Sequence, residues 1–306
     1  MPELPDITVY IEALEKRVLK KRLKKLMVGS PFLLRTAEPP ISFLEGKTVR
    51  QLRRLGKRIC FGFDDEVWLV LHLMIAGRLH WKDGVAVSKP IRNPKNQLAA
   101  FIFENGVLML TEAGTQRRAS IHIIQGNANL DNFDRGGIEV LETDLETFVR
   151  SLRLENHTLK RTLTDPRLFS GIGNAYSDEI LWHARLSPVA LSQKLTTEET
   201  KSLFEATQST LRLWIETLRE EVRGSRTGFP EKVTAFRPEM AVHGKYHEPC
   251  PRCNAKIQRI RYASNETNYC PNCQTGGKLL SDRALSRLLR SDWPRTADGL
   301  EDLSLR

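Results

Sequence analysis

The 306-residue chain carries 47 lysines and arginines against 37 aspartates and glutamates, a formal net charge of +10. With 40% hydrophobic and 27% charged residues it can bury real cores, which excludes a wholly disordered chain and a small disulfide-stapled one. Apolar runs such as Val67 to Met74 are far too short to cross a bilayer and the N-terminus lacks the order of a signal peptide, so a cytoplasmic protein of two or three domains is expected.

In chain order, Pro5 is followed by Ile7, Tyr10, Ile11, Leu14 and Val18 at three- and four-residue spacing, which predicts an amphipathic helix. From about Leu26 to Gln125 the pattern changes to short β-like runs: Ile59–Phe63, Val67–Leu73, Leu98–Phe103, Val107–Thr111 and Ser120–Ile124. Asp64-Asp65 and Glu104-Asn105-Gly106 read as hairpin turns, and so many short strands imply a sandwich or barrel. Polar Asn127 to Gly137 marks a domain boundary. Helical patterns follow at Leu141–Leu154, Thr158–Thr164, Asn174–His183 and Thr197–Val222. The Gly224–Glu239 loop reads as a linker, Ser281–Arg290 as a helix and 291–306 as a frayed tail.

Cys250-x2-Cys253-x16-Cys270-x2-Cys273 brings two thiolate pairs round two tight turns, the pattern of one structural Zn²⁺. Sulfur fills all four positions, leaving no place for an activated water. His243 and His247 then read as surface or packing residues, and Cys60, alone in an apolar strand, as an inert buried thiol.

The positive charge is clustered. Seven of the ten residues from Lys16 to Lys25 are basic; Lys47, Arg50, Arg53, Arg54, Lys57 and Arg58 form a second group, and Arg252, Lys256, Arg259 and Arg261 a third. One such run is usually a solvated face; three on one chain point to a phosphate-bearing partner. No lipidation signal or aromatic amphipathic anchor argues for a membrane.

The chain opens Met1-Pro2-Glu3-Leu4-Pro5. Loss of Met1 would leave Pro2 as a secondary amine, and α-amino groups titrate near 7.7–8.0, well below lysine, so a usable fraction is nucleophilic at neutral pH. Such an amine attacking an aldehyde-like sugar carbon forms a charged iminium, an electron sink for elimination, with Glu3 beside it to move a proton. Taken alone, Met-Pro is also compatible with an ordinary turn.

Pro2-Glu3-Leu4-Pro5, Leu55-Gly56-Lys57-Arg58, His72-Leu73 with Gly77, Asp165 through Gly171-Ile172-Gly173-Asn174-Ala175-Tyr176 to Asp178-Glu179, and the four-cysteine finger stand in one order. In that order the chain resembles the formamidopyrimidine-DNA glycosylase / endonuclease VIII family over residues 2 to about 275. The resemblance implies an α+β multidomain fold: an N-terminal β-sandwich with flanking helix (1–130), a helical helix-two-turn-helix domain (140–240), a zinc finger (241–280) and a C-terminal helix and tail (281–306). It further implies a bifunctional glycosylase and AP lyase of base-excision repair, a monomer on damaged double-stranded DNA held in a cleft between the halves, located with a bacterial-type nucleoid. By matching position Pro2 is the nucleophile, Glu3 the general acid, and Lys57 a phosphate contact that assists catalysis. Asn174, at a glycine-flanked turn into a helix, is a phosphate ligand; Lys160, His72 and Arg117 are further DNA-contact candidates, while Asp178 and Glu179 brace the motif.

Three departures bear on the transfer. Asn265 stands where the family's finger has an arginine, so Arg259 or Arg261 substitutes or the phosphate grip is weaker. The void left by an extruded base is offered Ile75 or Met74 on one side, and Ala119 in place of a phenylalanine on the other. Gly228 to Phe236 lacks the purine branch's loop pattern. Formamidopyrimidine, 8-oxoguanine and oxidised pyrimidines are the expected substrates. The rivals are a lyase for abasic or crosslinked DNA and a non-catalytic damage sensor.

Overall fold

The computed structural model describes residues 1–84, 96–113, 116–231, 233, 236–262 and 265–281, with side chains throughout except those of Tyr262 and Asn265. The expected C-terminal helix and tail lie outside this set beyond Ser281. Backbone contacts divide the chain into two units, Met1–Arg135 with Leu213–Thr234 and Gly136–Arg212 with Ala235–Arg306.

The first unit begins with helix α1, Leu4–Val18. Pro5 sits in its first turn, where a missing N–H costs nothing, and Oδ2 of Asp6 accepts from the Glu3 backbone N–H at 2.9 Å. Ile7, Tyr10, Leu14 and Val18 form the buried stripe, and Lys16 and Arg17 complement the helix dipole at its end. Eight strands follow: β1 (Leu23–Val28), β2 (Val49–Leu55), β3 (Arg58–Phe63), β4 (Val67–His72), β5 (Gly77–Asp83), β6 (Gln97–Phe103), β7 (Gly106–Glu112) and β8 (Ser120–Gln125). They make two four-stranded antiparallel sheets, ordered β1-β6-β7-β5 and β2-β3-β4-β8.

Alternation explains how the sheets meet. Ile59, Phe61 and Phe63 of β3 and Val67, Leu69 and Leu71 of β4 join Phe101, Phe103, Leu108 and Leu110 of the other sheet and the α1 stripe in one core. Phe61 stacks on Phe101 at 6.2 Å. This is the β-sandwich with flanking helix that the strand spacing and the resemblance imply. The opposite face of β3 and β4 carries Cys60, Trp68 and Val70, covered by Leu130 of helix α2 (Asn127–Asp131) and Phe133. Burial there pushes the Cys60 thiol up to about 12, as suits an inert residue.

Strands β1, β2 and β5 are absent from the runs read in the sequence. In β1 and β2 the reason is a register shift, between Leu23 and Lys25 and between Val49 and Gln51, that places two consecutive polar residues in solvent and breaks the two-residue period. The Gly224–Glu239 segment is tied into this unit at Phe229 and Val233, which are core residues. Arg17 donates to the carbonyls of Thr227 (2.6 Å) and Gly228 (3.0 Å), and Tyr10 packs on the Phe229 ring at 5.8 Å.

The second unit contains α3 (Leu145–Arg153), α4 (Leu159–Thr164), α5 (Asn174–His183) and the residues of α6 (Thr197–Gly224) that precede Leu213. Helix α3 starts later than the expected Leu141 because the Asp144 carboxylate caps it, accepting from Thr147 N at 2.8 Å. Phe148 packs on Phe169 and Phe204 at 5.0 and 5.3 Å. A hairpin of β9 (Gln258–Tyr262) and β10 (Asn265–Tyr269) and the short helix α7 (Pro271–Thr275) carry the cysteines. No helix among the described residues is long and apolar enough to cross a membrane.

Candidate functional site

In the first unit the chain terminus is enclosed. Pro2 is buried and Glu3 is 2% exposed. Burial holds the terminal amine, here that of Met1, below its ordinary value; Arg78 and Lys57 act in the same direction, while Glu3 and Asp6 oppose them. Lys57, distant in sequence from the terminus, is therefore a neighbour of the amine, as Glu3 is. Lys57 reaches this position from the β2–β3 turn, where Gly56 takes φ +58°.

His72 ends β4 and is held down to about 4 by burial, with Arg58, Lys57 and His122 adding repulsion, so it is neutral at physiological pH. The next turn carries the two wedge candidates. Ile75 is 60% exposed, whereas Met74 is partly buried with φ +53°. A Cβ on Gly77 would lie 2.2 Å from the Leu73 carbonyl oxygen, so the turn closes only with glycine there. Arg78, which the sequence reading missed, donates to the carbonyls of Ile75 (3.1 Å) and Gly77 (2.7 Å) while its charge acts on the terminal amine. No local pattern marks it; only the fold brings it there.

Arg117 is exposed after β7. The buried Glu112 carboxylate braces its segment, accepting from Arg118 N with both oxygens and from Ala119 N, each at 3.0 Å. Ala119 is 3% exposed and belongs to the sandwich core.

In the second unit Gly171, at φ +81°, leads through buried Ile172 to Gly173, which caps α5. Asn174 opens that helix and its Nδ2 donates to the Glu266 carbonyl of β10 at 2.7 Å. Lys160 is not on open surface: its Nζ donates to the Asn174 carbonyl (2.6 Å) and to Asp178 Oδ1 (2.5 Å). The other Asp178 oxygen accepts from His243 Nδ1 (2.7 Å) and Asn268 N (3.1 Å), so His243 carries its proton on Nδ1. Glu179 accepts from the backbone N–H groups of Ala241, Val242 and His243 at 2.8–2.9 Å. Two adjacent buried carboxylates thus fasten the cysteine module to α5.

The four Sγ atoms of Cys250, Cys253, Cys270 and Cys273 all lie within 4.8 Å of one another. The separations of 3.4, 3.5 and 4.0 Å bracket the edge of about 3.8 Å that a sulfur tetrahedron has at a metal–sulfur bond near 2.3 Å. The cluster therefore fits one metal ion. Trp182 Nε1 donates to Cys250 Sγ at 3.3 Å, and Arg252 stacks on the indole at 3.9 Å. On the hairpin, Arg259 lies 3.9 Å over the Tyr246 ring and pairs with Glu266 at 3.2 Å; Arg261, 60% exposed, stands 3.8 Å from the same carboxylate.

A β-sandwich with an enclosed amino terminus, a helical module opening on a glycine turn, and a four-cysteine hairpin define a class of DNA-repair glycosylase fold. Family profiles match all three parts: the formamidopyrimidine-DNA glycosylase N-terminal domain over residues 1–118, its H2TH domain over 138–225, and the zinc finger found in FPG and IleRS over 248–276. The formamidopyrimidine-DNA glycosylase of Mycoplasmopsis pulmonis is 28% identical over 277 residues, covering 90% of this chain and 98% of that protein. That of Streptococcus pneumoniae is 28% identical over 282 residues, covering 90% and 99%. The Lactococcus lactis Fpg in complex with abasic-site DNA superposes with TM-score 0.76 at 27% identity, covering 89% of this chain and 99% of that one. Its complex with DNA containing an oxidised pyrimidine gives 0.76 at 28%, covering 90% and 100%. The chain belongs to the formamidopyrimidine-DNA glycosylase / endonuclease VIII family.

Proposed function

We propose that this chain is a bifunctional DNA glycosylase and AP lyase of base-excision repair, acting on oxidised bases in duplex DNA through the amine of Pro2. The observation that carries the reading is the enclosed terminus: Pro2 and Glu3 are buried, and burial, Arg78 and Lys57 hold the Met1 amine below its ordinary value, in surroundings that the Pro2 nitrogen would take over once Met1 is removed. Removal of Met1 leaves the Pro2 nitrogen at the head of α1. That nitrogen attacks C1′ of the damaged nucleotide; a C1′–N bond forms and the base leaves with the glycosidic electron pair. Glu3 delivers a proton to the sugar ring oxygen as the ring opens to the iminium. Loss of a C2′ proton then expels the 3′ phosphate, and a second elimination expels the 5′ phosphate.

Lys57, Asn174, His72 and Arg117 are the proposed phosphate contacts, with Lys160 holding Asn174 rather than reaching DNA itself. Ile75 is the proposed wedge, being the exposed member of its turn. The cysteine ion is proposed to be zinc, with a structural role, because four thiolates leave no open position. Formamidopyrimidine, 8-oxoguanine and oxidised pyrimidines are the proposed substrates, and a cytoplasmic, nucleoid-associated monomer the proposed state. One observation favours a second reading, a lyase for abasic or crosslinked DNA: Ala119 is committed to the core and offers nothing to the vacated stack.

Borohydride trapping on an abasic-site duplex tests the mechanism. A covalent adduct is expected with the processed protein and none when Met1 is retained; no adduct from processed protein that binds the duplex would overturn it. Base release from a lesion panel then separates glycosylase from lyase.

A further inference from the structure

Lys20, Arg22, Lys24 and Lys25 are all exposed, and among the described residues no carboxylate lies within ion-pair distance of any of them. Their basic neighbours are matched: Lys21 with Glu104 at 3.2 Å, Lys47 with Asp65 and Arg50 with Asp64 at 2.5 Å each. The backbone that carries the four cations is also held in place. Lys20 N donates to Val49 O at 2.8 Å and Leu23 N to Lys47 O at 2.9 Å, pinning the approach to β1 against the segment before β2. The register shift between Leu23 and Lys25 then turns Lys24 and Lys25 both to solvent between buried Leu23 and Leu26.

β1 is an edge strand, and lysines discourage edge-to-edge pairing. That purpose needs a charge or two. It does not call for four unmatched cations within six residues, displayed by a bulge that places consecutive lysines on the same side. Nor do these charges serve the amine. They follow the far end of α1, whose 15 residues span about 22 Å, well beyond a Debye length of about 8 Å.

We propose that this edge is an auxiliary phosphate-binding surface that holds DNA outside the catalytic footprint. With Lys20 in a turn at φ +60° and a bulge before Lys25, the stretch is no longer than the about 17 Å of five extended steps, the axial length of at most about five phosphates on one strand of a duplex. Lysine heads are hydrated point charges on flexible stems, suited to a phosphate row without base readout. The surface extends the DNA-binding reading given above and adds affinity and reach rather than chemistry.

The test is the salt dependence of duplex binding by the full chain, comparing wild type, R22Q/K24Q/K25Q and R22K/K24R/K25R. The slope of log K against log salt is expected to become shallower by about 2 to 3 in the neutralised variant, since each phosphate contact contributes about 0.9. The charge-conserving variant is expected to keep the wild-type slope. An unchanged slope in R22Q/K24Q/K25Q, with wild type binding tightly, would overturn the proposal. So would loss of binding to phosphatidylserine vesicles with an unchanged duplex slope, which would assign the surface to lipid. Failure of the catalytic reading shows separately, as absence of a trapped adduct from wild type.

Discussion

The ammonium of Lys160 lies 2.5 Å from Oδ1 of Asp178, a carboxylate with no side-chain exposure. A residue read from the sequence as a DNA contact thus sits inside a charge cluster that also takes His243 and the β10 backbone. Removing one member of a buried pair strands the other, which costs about 3–5 kcal/mol. Lys160→Met is accordingly expected to destabilise by about that amount. Denaturant unfolding checks this; a change under 1 kcal/mol would mean that Asp178 finds another partner.

The amine's surroundings set a pH dependence. Burial and the charges of Arg78 and Lys57 lower its pKa below the ordinary 8.0. If the Pro2 amine of the processed protein inherits these surroundings, trapping should rise with pH as it deprotonates, with a midpoint below the ordinary α-amino value. Arg78→Gln removes one lowering charge and is expected to move the midpoint upward. A midpoint that stays put in that variant would remove Arg78 from the account.

Gly77→Ala tests the wedge turn. With the new Cβ 2.2 Å from a backbone oxygen, the turn must open, at a cost of about 1–3 kcal/mol. Displacement of Ile75 should reduce extrusion of the target nucleotide, read by a fluorescent base analogue at the lesion. Unaltered stability and extrusion together would contradict the contact.

His72 links stability to acid. Its folded pKa of about 4 lies below the ordinary 6.5, so between those values the unfolded chain binds more protons and stability falls as pH falls. The share of this one group is roughly 3 kcal/mol at full effect. His80, His122 and His183 are also lowered by burial and add in the same direction. Melting temperature should drop between pH 6.5 and 4, and His72→Asn should flatten that drop; an identical slope in the variant would be the adverse result.

Metal removal should unfold the hairpin, because the thiolates, the Trp182 bond to Cys250 and the Asn174 bond to Glu266 depend on one geometry. Chelation is expected to release one ion per chain and weaken duplex binding at least tenfold. Retained affinity after verified metal loss would falsify that dependence.

Much of this was legible in the sequence. Helix α5 has the bounds its pattern predicts, β3, β4 and β6 to β8 stand within a residue or so of their apolar runs, and the cysteine spacing announces a metal site. These signals are local: side-chain periodicity and tight turns recur at short range wherever the same residues occur. What escaped is of longer range. Bulges hid β1 and β2 because an inserted residue breaks the alternation on which strand reading rests. The stitching of Phe229 into the sandwich core, the approach of Arg78 to the chain terminus and the burial of Lys160 depend on residues that are distant in sequence. Composition and spacing set which chemical groups this protein has; only the tertiary structure decided which of them are enclosed, matched or left exposed, because desolvation and charge pairing act through space rather than along the chain.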